Sequence, residues 1–221
     1  MATDPGGARA PKKSLTEHIA TQEEFLEKQL QPALDAAGAG DGNVLFADAA
    51  HFVFGTFLCC LWTIVRQHVR AACGRQRFNV LGAWNAVSRK LIAVTNTTVV
   101  NSETMCELLR KIAAEGLVGP ITLVLDNARY QRNKLVQALA VELKINLMFL
   151  PSYSPNLNLI ERLWGFAKRA SVYGKYHPNF ASFRTAIEKT LAEIPTTHAE
   201  SLKTLMTLKF QRFEDVSLLG G

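Results

Sequence analysis

Apolar positions along this chain fall into two patterns: stripes of helical period, and short unbroken runs that end at turn residues. The first stripe is Leu15, Ile19, Leu26 and Leu30, in a helix that the capping-box spacing of Ser14 and Glu17 opens. Pro32 disturbs that stripe, and the glycine-rich stretch Ala37–Gly42 reads as a linker. Val44–Ala47 is a short buried strand. Phe78–Asn85 and Leu91–Thr95 flank the turn Ala86–Lys90 and read as a hairpin. Met105, Leu108, Leu109 and Ile112 mark a helix over Ser102–Glu115, which Gly116 and Gly119–Pro120 end. Ile121–Leu125 is the next strand. A helix over Asn133–Leu143 follows, with Leu135, Leu139 and Leu143 stacked, and then the strand Ile145–Leu150. The helix Asn158–Ser171 carries the stripe Ile160, Leu163, Trp164 and Ala167, and two further helices are expected over 179–194 and 198–210.

A hairpin followed by alternating strands and helices predicts an α/β fold, a mixed sheet with helices on its faces. Domain organisation follows from the same pattern. Residues 1–42 form a tail, a single helix and a linker; residues 43–213 form the main domain; residues 214–221 form a C-terminal tail. In open α/β sheets the groups that meet a ligand gather at the carboxyl ends of strands, and Asp126 stands at such an end.

Composition narrows the class. With 221 residues, 48% hydrophobic and 20% charged, the chain is an ordinary globular one with a sizeable core. The net charge of +6 suits a polyanionic partner and suits plain solubility equally. Cys59, Cys60, Cys73 and Cys106 form no C-x-x-C pair, which argues against a zinc site and for reduced thiols. The N-terminus lacks the apolar core of a signal peptide, and the run 52–65 contains Gly55 and is too short for a membrane span. A soluble, intracellular protein is expected.

Three acids sit where core packing does not ask for them. Asp48 follows Val44–Ala47, Asp126 follows Ile121–Leu125, and Glu161 begins the helix after the loop PSYSPNLN. Asp126-Asn127 reads in isolation as a turn or cap, and Glu161 as a capping residue three positions after Asn158. Asp48 is harder to explain away, because its neighbours Ala47, Ala49 and Ala50 offer no partner. If the two strands are adjacent and the helix crosses their ends, the three carboxylates converge. Their mutual repulsion would be relieved by a divalent cation, and hard oxygen ligands suit Mg²⁺ or Mn²⁺. Two such ions about 3.5–4 Å apart could activate an attacking oxygen and stabilise a leaving oxygen at a phosphodiester. Around the trio, His51, Asn127, Gln131 and Asn158 are candidates to support the acids.

Basic residues flank the same segments. Arg66, His68, Arg70, Arg75 and Arg77 lie together between the first strand and the hairpin, as a phosphate-tracking or simply solvated loop. Lys168 lies two helical turns beyond Glu161 with Gly165 between them, and Arg162 and Arg169 flank that face. Arg129 and Tyr130 could meet phosphate or a base, or pack on the surface, and Arg132 lies beside them. Trp62, Trp84 and Trp164 read as core.

The segments LFADAAHF (45–52), LVLDNARYQ (123–131) and LPSYSPNLNLIERLW (150–164) resemble the three signature blocks of DDE transposases. The similarity is to the mariner superfamily and its bacterial branch typified by insertion sequence six-thirty, over about residues 42–213. That family's blocks read D-[ES]-[AS]-H, D-N-A-x-x-H and L-P-x-Y-S-P-x-L-N-P-I-E-x-x-W. Thirty-four residues lie between Asp126 and Glu161, the spacing of that branch. The resemblance implies an RNase H-like (retroviral-integrase-like) five-stranded mixed sheet with helices on both faces. It implies metal-dependent DNA cleavage and strand transfer, with Asp48, Asp126 and Glu161 as the catalytic, metal-binding triad and Mg²⁺ or Mn²⁺, two ions, as cofactor. Implied partners are DNA, both element ends and a TA target, and a second copy of the chain on DNA. The implied setting is the bacterial cytoplasm, on the nucleoid. Two positions depart from the family: Gln131 replaces its histidine, and Leu159 its proline. Family members also carry helix-turn-helix domains ahead of the catalytic domain, and the stretch before Asp48 is too short for a pair of them; a separate partner or upstream reading frame is the expectation. The alternatives are an inactive DNA-binding relic and another RNase H-like nuclease.

Overall fold

The computed structural model describes residues 15–55, 76–152 and 154–210. Ser14, Tyr153, Trp62, three of the four cysteines and the basic positions Arg66, His68, Arg70 and Arg75 lie outside these residues; Cys106 is buried and free.

The chain opens with helix α1 (Leu15–Phe25), one π-helical turn (Leu26–Leu30) and helix α2 (Gln31–Ala39). Pro32 explains the π turn. A proline has no N–H to donate, and its ring presses on the carbonyl four residues back. The wider turn, in which the Gln31 N–H reaches Leu26 O, takes up that misfit without ending the helix. Most of the expected linker at Ala37–Gly42 is therefore helix or helix cap. Gly40, at φ +91°, closes α2 in the left-handed conformation that glycine adopts without penalty, donating to Ala36 O and Ala37 O.

Strand β1 runs Asn43–Val53, far longer than the expected Val44–Ala47. The hairpin β2 (Arg77–Asn85) and β3 (Leu91–Asn96) follows, then α3 (Ser102–Ala114), β4 (Ile121–Leu125), α4 (Lys134–Glu142) and β5 (Ile145–Phe149). A short 3₁₀ turn (Pro155–Leu157) leads into α5 (Ile160–Ser171), α6 (Phe180–Ala192) and α7 (Ala199–Leu205). The sheet order is β3-β2-β1-β4-β5, with β1 antiparallel to β2 and parallel to β4, and β4 parallel to β5.

Strand alternation divides two cores across this sheet. Phe46, Ala50 and Phe52 of β1 face a layer built from α1, α2, α5, α6 and α7. Leu45 and Ala47 face α3 and α4. Phe25, Leu26, Leu30, Leu34 and Ala37 are buried in the first core, so the N-terminal helices pack with the sheet. On α4 the buried face is Val136 and Ala140, whereas Leu135 is 57% exposed. Of the expected leucine stripe, Leu135 therefore points outward, while Leu139 and Leu143 pack at the edge of the core. Among the described residues no helix is long and apolar enough to cross a membrane.

Candidate active site

Asp48 lies in the middle of β1, on the face it shares with Phe46 and Ala50, and is only 9% exposed. The parallel pairing of β1 with β4 ends at Phe46↔Val124. Continuing that register two residues brings Asp126, just past β4, level with Asp48. Glu161 projects from the first turn of α5, and Asp126, Asn158 and Glu161 line one cleft of about 170 Å³ together with Leu150, Pro151, Ser154 and Pro155. The order and adjacency expected from the sequence are present: two neighbouring parallel strands, with a helix start across their ends.

The three acids are electrostatically coupled. Burial raises the Asp48 carboxyl to about 7, and the charges of Glu161 and then Asp126 push the same way. The Ala49 backbone N–H and the Trp164 indole oppose them. The Tyr130 phenol is likewise raised, by burial and by Asp126 and Asp48, so it too borders the acids.

The turn after β4 is locked from within. Asn127, at φ +76°, donates through Nδ2 to Leu150 O, and its Oδ1 accepts from Arg132, whose guanidinium also lies 4.4 Å from the Phe149 ring centroid. Arg132 is thereby a structural brace rather than a free phosphate contact. Gln131 is fully buried, and its Oε1 accepts from Ala128 N at 3.0 Å. The same N–H reaches Asp126 Oδ1 at 3.3 Å. Gln131 thus supports the acid's turn by hydrogen bonding alone, which requires no titrating group.

The remaining expected residues take varied places. His51 stands an odd number of residues from Asp48, hence on the opposite face, and bonds Asn79 Oδ1 through Nδ1 at 2.7 Å. Asn158 does not cap α5: Leu159 occupies the cap position without a side-chain bond, while Asn158 is buried and its Nδ2 lies 3.5 Å from Ala47 O. Leu159 therefore stands one position before the helix proper. The Arg162 guanidinium donates to the carbonyls of Leu205, Thr207 and Lys209, tying down the segment after α7. Arg77, Arg129 and Arg169 are exposed and Lys168 is half-buried. A Cβ at Gly165 would meet only Arg169 Nη1 at 3.7 Å, so this glycine leaves room on that helix face. The close approach is at Gly82, the strand partner of Asp48, where Trp164 packs. A glycine inside a strand was the signal for it.

Among the described residues, no three of His, Cys, Asp and Glu stand close enough together to enclose a metal ion. Asp126 and Glu161 are both exposed. The donor set is all carboxylate oxygen, under a mutual repulsion that a hard divalent cation relieves, so the residues fit such an ion in chemistry and leave its shell open.

In this sheet order Asp48 lies within the central strand β1, and Asp126 lies just past the end of its parallel neighbour β4. The chain belongs to the DDE superfamily endonuclease family, whose model matches residues 64–184, more than half of it. Asp126 and Glu161 fall inside that span and Asp48 ahead of it. The fold is similar to that of Mos1 transposase in a paired-end complex with the left transposon end, at TM-score 0.58 and 12% identity, covering 95% of this chain and 68% of that one. It is similar also to the catalytic domain of Mos1 mariner transposase, at TM-score 0.55 and 11% identity, covering 92% and 100%. A third similar structure is the Mos1 catalytic domain with raltegravir and Mg, at TM-score 0.56 and 11% identity, covering 90% and 100%. No curated protein sequence matches the chain. The architecture is the RNase H-like one, and the chain is a DDE-type endonuclease domain.

Proposed function

We propose that this domain is the catalytic part of a transposase that cuts DNA at an element's ends and joins the freed 3′ end to target DNA, with Asp48, Asp126 and Glu161 as its acidic triad. The observation that carries this reading is the β1–β4 register, which sets Asp126 level with Asp48 while Glu161 faces them from α5. Asp48, buried on the central strand, would be the fixed acid of the site. Asp126 and Glu161 reach it from the rim of the cleft, where a phosphodiester can enter from solvent. The similar Mos1 structures include one determined with Mn and one with Mg, and the three acids here would hold the same kind of ion. When bound, two divalent ions would supply Lewis-acid stabilisation of the attacking and leaving oxygens. The chain's own part is positioning and charge: three carboxylates on two strands and a helix, with Arg129, Lys168 and Arg169 available to phosphate groups.

The test is a cleavage assay on DNA bearing terminal inverted repeats, with Mg²⁺, Mn²⁺ or EDTA. The expected result is metal-dependent nicking that Asp126→Asn and Glu161→Gln each reduce by at least a hundredfold. DNA binding without cleavage by wild type in any metal would leave a DNA-binding relic in place of an enzyme. A preference for RNA–DNA hybrid would point to a nuclease of another kind.

A further inference from the structure

We propose that the Trp164 indole N–H is the positioning group for Asp48: seated on Gly82, it holds the Asp48 carboxylate turned toward Glu161. The inference rests on the reading that Asp48 belongs to the acidic site. Asp48 and Gly82 are direct partners across the β1–β2 ladder. A Cβ at position 82 would stand 2.7 Å from Trp164 Cη2, 2.9 Å from Cζ2 and 3.0 Å from Leu91 Cδ1. The missing side chain at Gly82 is therefore the seat of the indole, and it brings the ring against the strand beside Asp48.

Trp164 is 2% exposed, and its Nε1 is buried with no hydrogen-bond partner among the described residues. An unmet buried donor is costly, so its neighbour matters. Trp84 Nε1 is also unpartnered, but the strand partners of Trp84 are Phe46 and Leu91, whose side chains carry no acceptor. Trp164 instead packs on Gly82, the ladder partner of Asp48, so its unmet donor is set on the strand beside that buried carboxylate.

The helix supplies the rest of the geometry. Trp164 follows Glu161 by three residues, so both side chains leave α5 on neighbouring faces. One residue lines the open cleft while the other reaches the buried acid beneath it. A donor on the protein side of a desolvated carboxylate fixes its rotamer and leaves its other oxygen to the cleft. Phenylalanine at 164 would keep the packing and lose this function.

The chain has three tryptophans, so its ¹H–¹⁵N spectrum should show three indole cross-peaks, and Trp164→Phe identifies one by its loss. In metal-free protein, Asp48→Asn is expected to move that peak and leave the Trp84 peak in place. Trp164→Phe is expected to raise the Mg²⁺ concentration for half-maximal nicking, and for Mn²⁺ binding followed by electron paramagnetic resonance, by about tenfold. Its rate at saturating metal and its urea midpoint should stay near those of wild type. A Trp164 peak that ignores Asp48→Asn, or a Trp164→Phe variant with wild-type metal dependence, overturns the proposal even if the protein cuts DNA. If no form cuts DNA but the peak moves, the positioning stands and the transposase reading falls. Should Trp164→Phe fail to fold, Trp84→Phe and Trp62→Phe assign the peak by elimination and the Asp48→Asn shift decides.

Discussion

At Asp48, burial and two neighbouring carboxylates act together to keep the proton on, raising the group to about 7 from an ordinary 3.8. The unfolded chain releases that proton near pH 4 and the metal-free fold holds it to about 7, so stability falls as pH rises between those values. The full shift corresponds to roughly 4 kcal/mol as an upper limit. Asp48→Asn should therefore raise the unfolding temperature in EDTA clearly at pH 8 and little at pH 4, as differential scanning fluorimetry would show. Equal gains at both pH values would place the cost of Asp48 elsewhere. The Ala128 N–H, shared between Gln131 Oε1 and Asp126 Oδ1, gives a second outcome. Gln131→Ala hands that donor to Asp126 alone and draws its carboxylate inward. The variant should lose about 1–3 kcal/mol in urea titration, and should need more Mg²⁺ than wild type for half-maximal nicking.

Elements whose residues obey one local rule were legible from sequence. The helix α3 has its stripe, the hairpin its turn, and β4 ends at the expected acid. What local rules left out was tertiary. β1 was read as four residues because an acid and a histidine break its apolar run, but pairing with β2 along nine residues carries it on to Val53. The N-terminal helix was read as broken at Pro32, since sequence does not announce a π turn. At the proposed site, the three acids and their order were read from motif, strand ends and a helix start. Gly82 inside a strand signals a close approach, but that Trp164 fills it could not be read, because it joins a helix to a strand partner that only the register reveals. Leu30, fully buried where the π turn meets α2, tests the element. Leu30→Ala should cost about 2–5 kcal/mol and keep a single cooperative urea transition; a separate early transition would mean that the helices fold apart from the sheet.

Across the molecule, cations divide into those held by the fold and those free to meet a polyanion. Arg162 is engaged by three carbonyls at and after the end of α7, and Arg132 by Asn127 and Phe149. Arg129 and Arg169 are exposed. Plotting DNA affinity against salt, Arg129→Ala and Arg169→Ala should each lower the slope by about one, whereas Arg162→Ala should lower stability and leave the slope unchanged. The acids divide in a comparable way. Asp48 is built into the central strand, between β2 and β4, while Asp126 and Glu161 stand at exposed element ends. Backbone opening at a central strand requires global unfolding, whereas turns and helix starts open locally. Amides around Asp48 should therefore exchange with solvent only through whole-chain unfolding, and those of residues 126–132 many times faster. A segment that breathes this way can come apart and re-form around each successive DNA end while its anchor never leaves the sheet, so turnover would be governed by the loop's clock rather than the fold's.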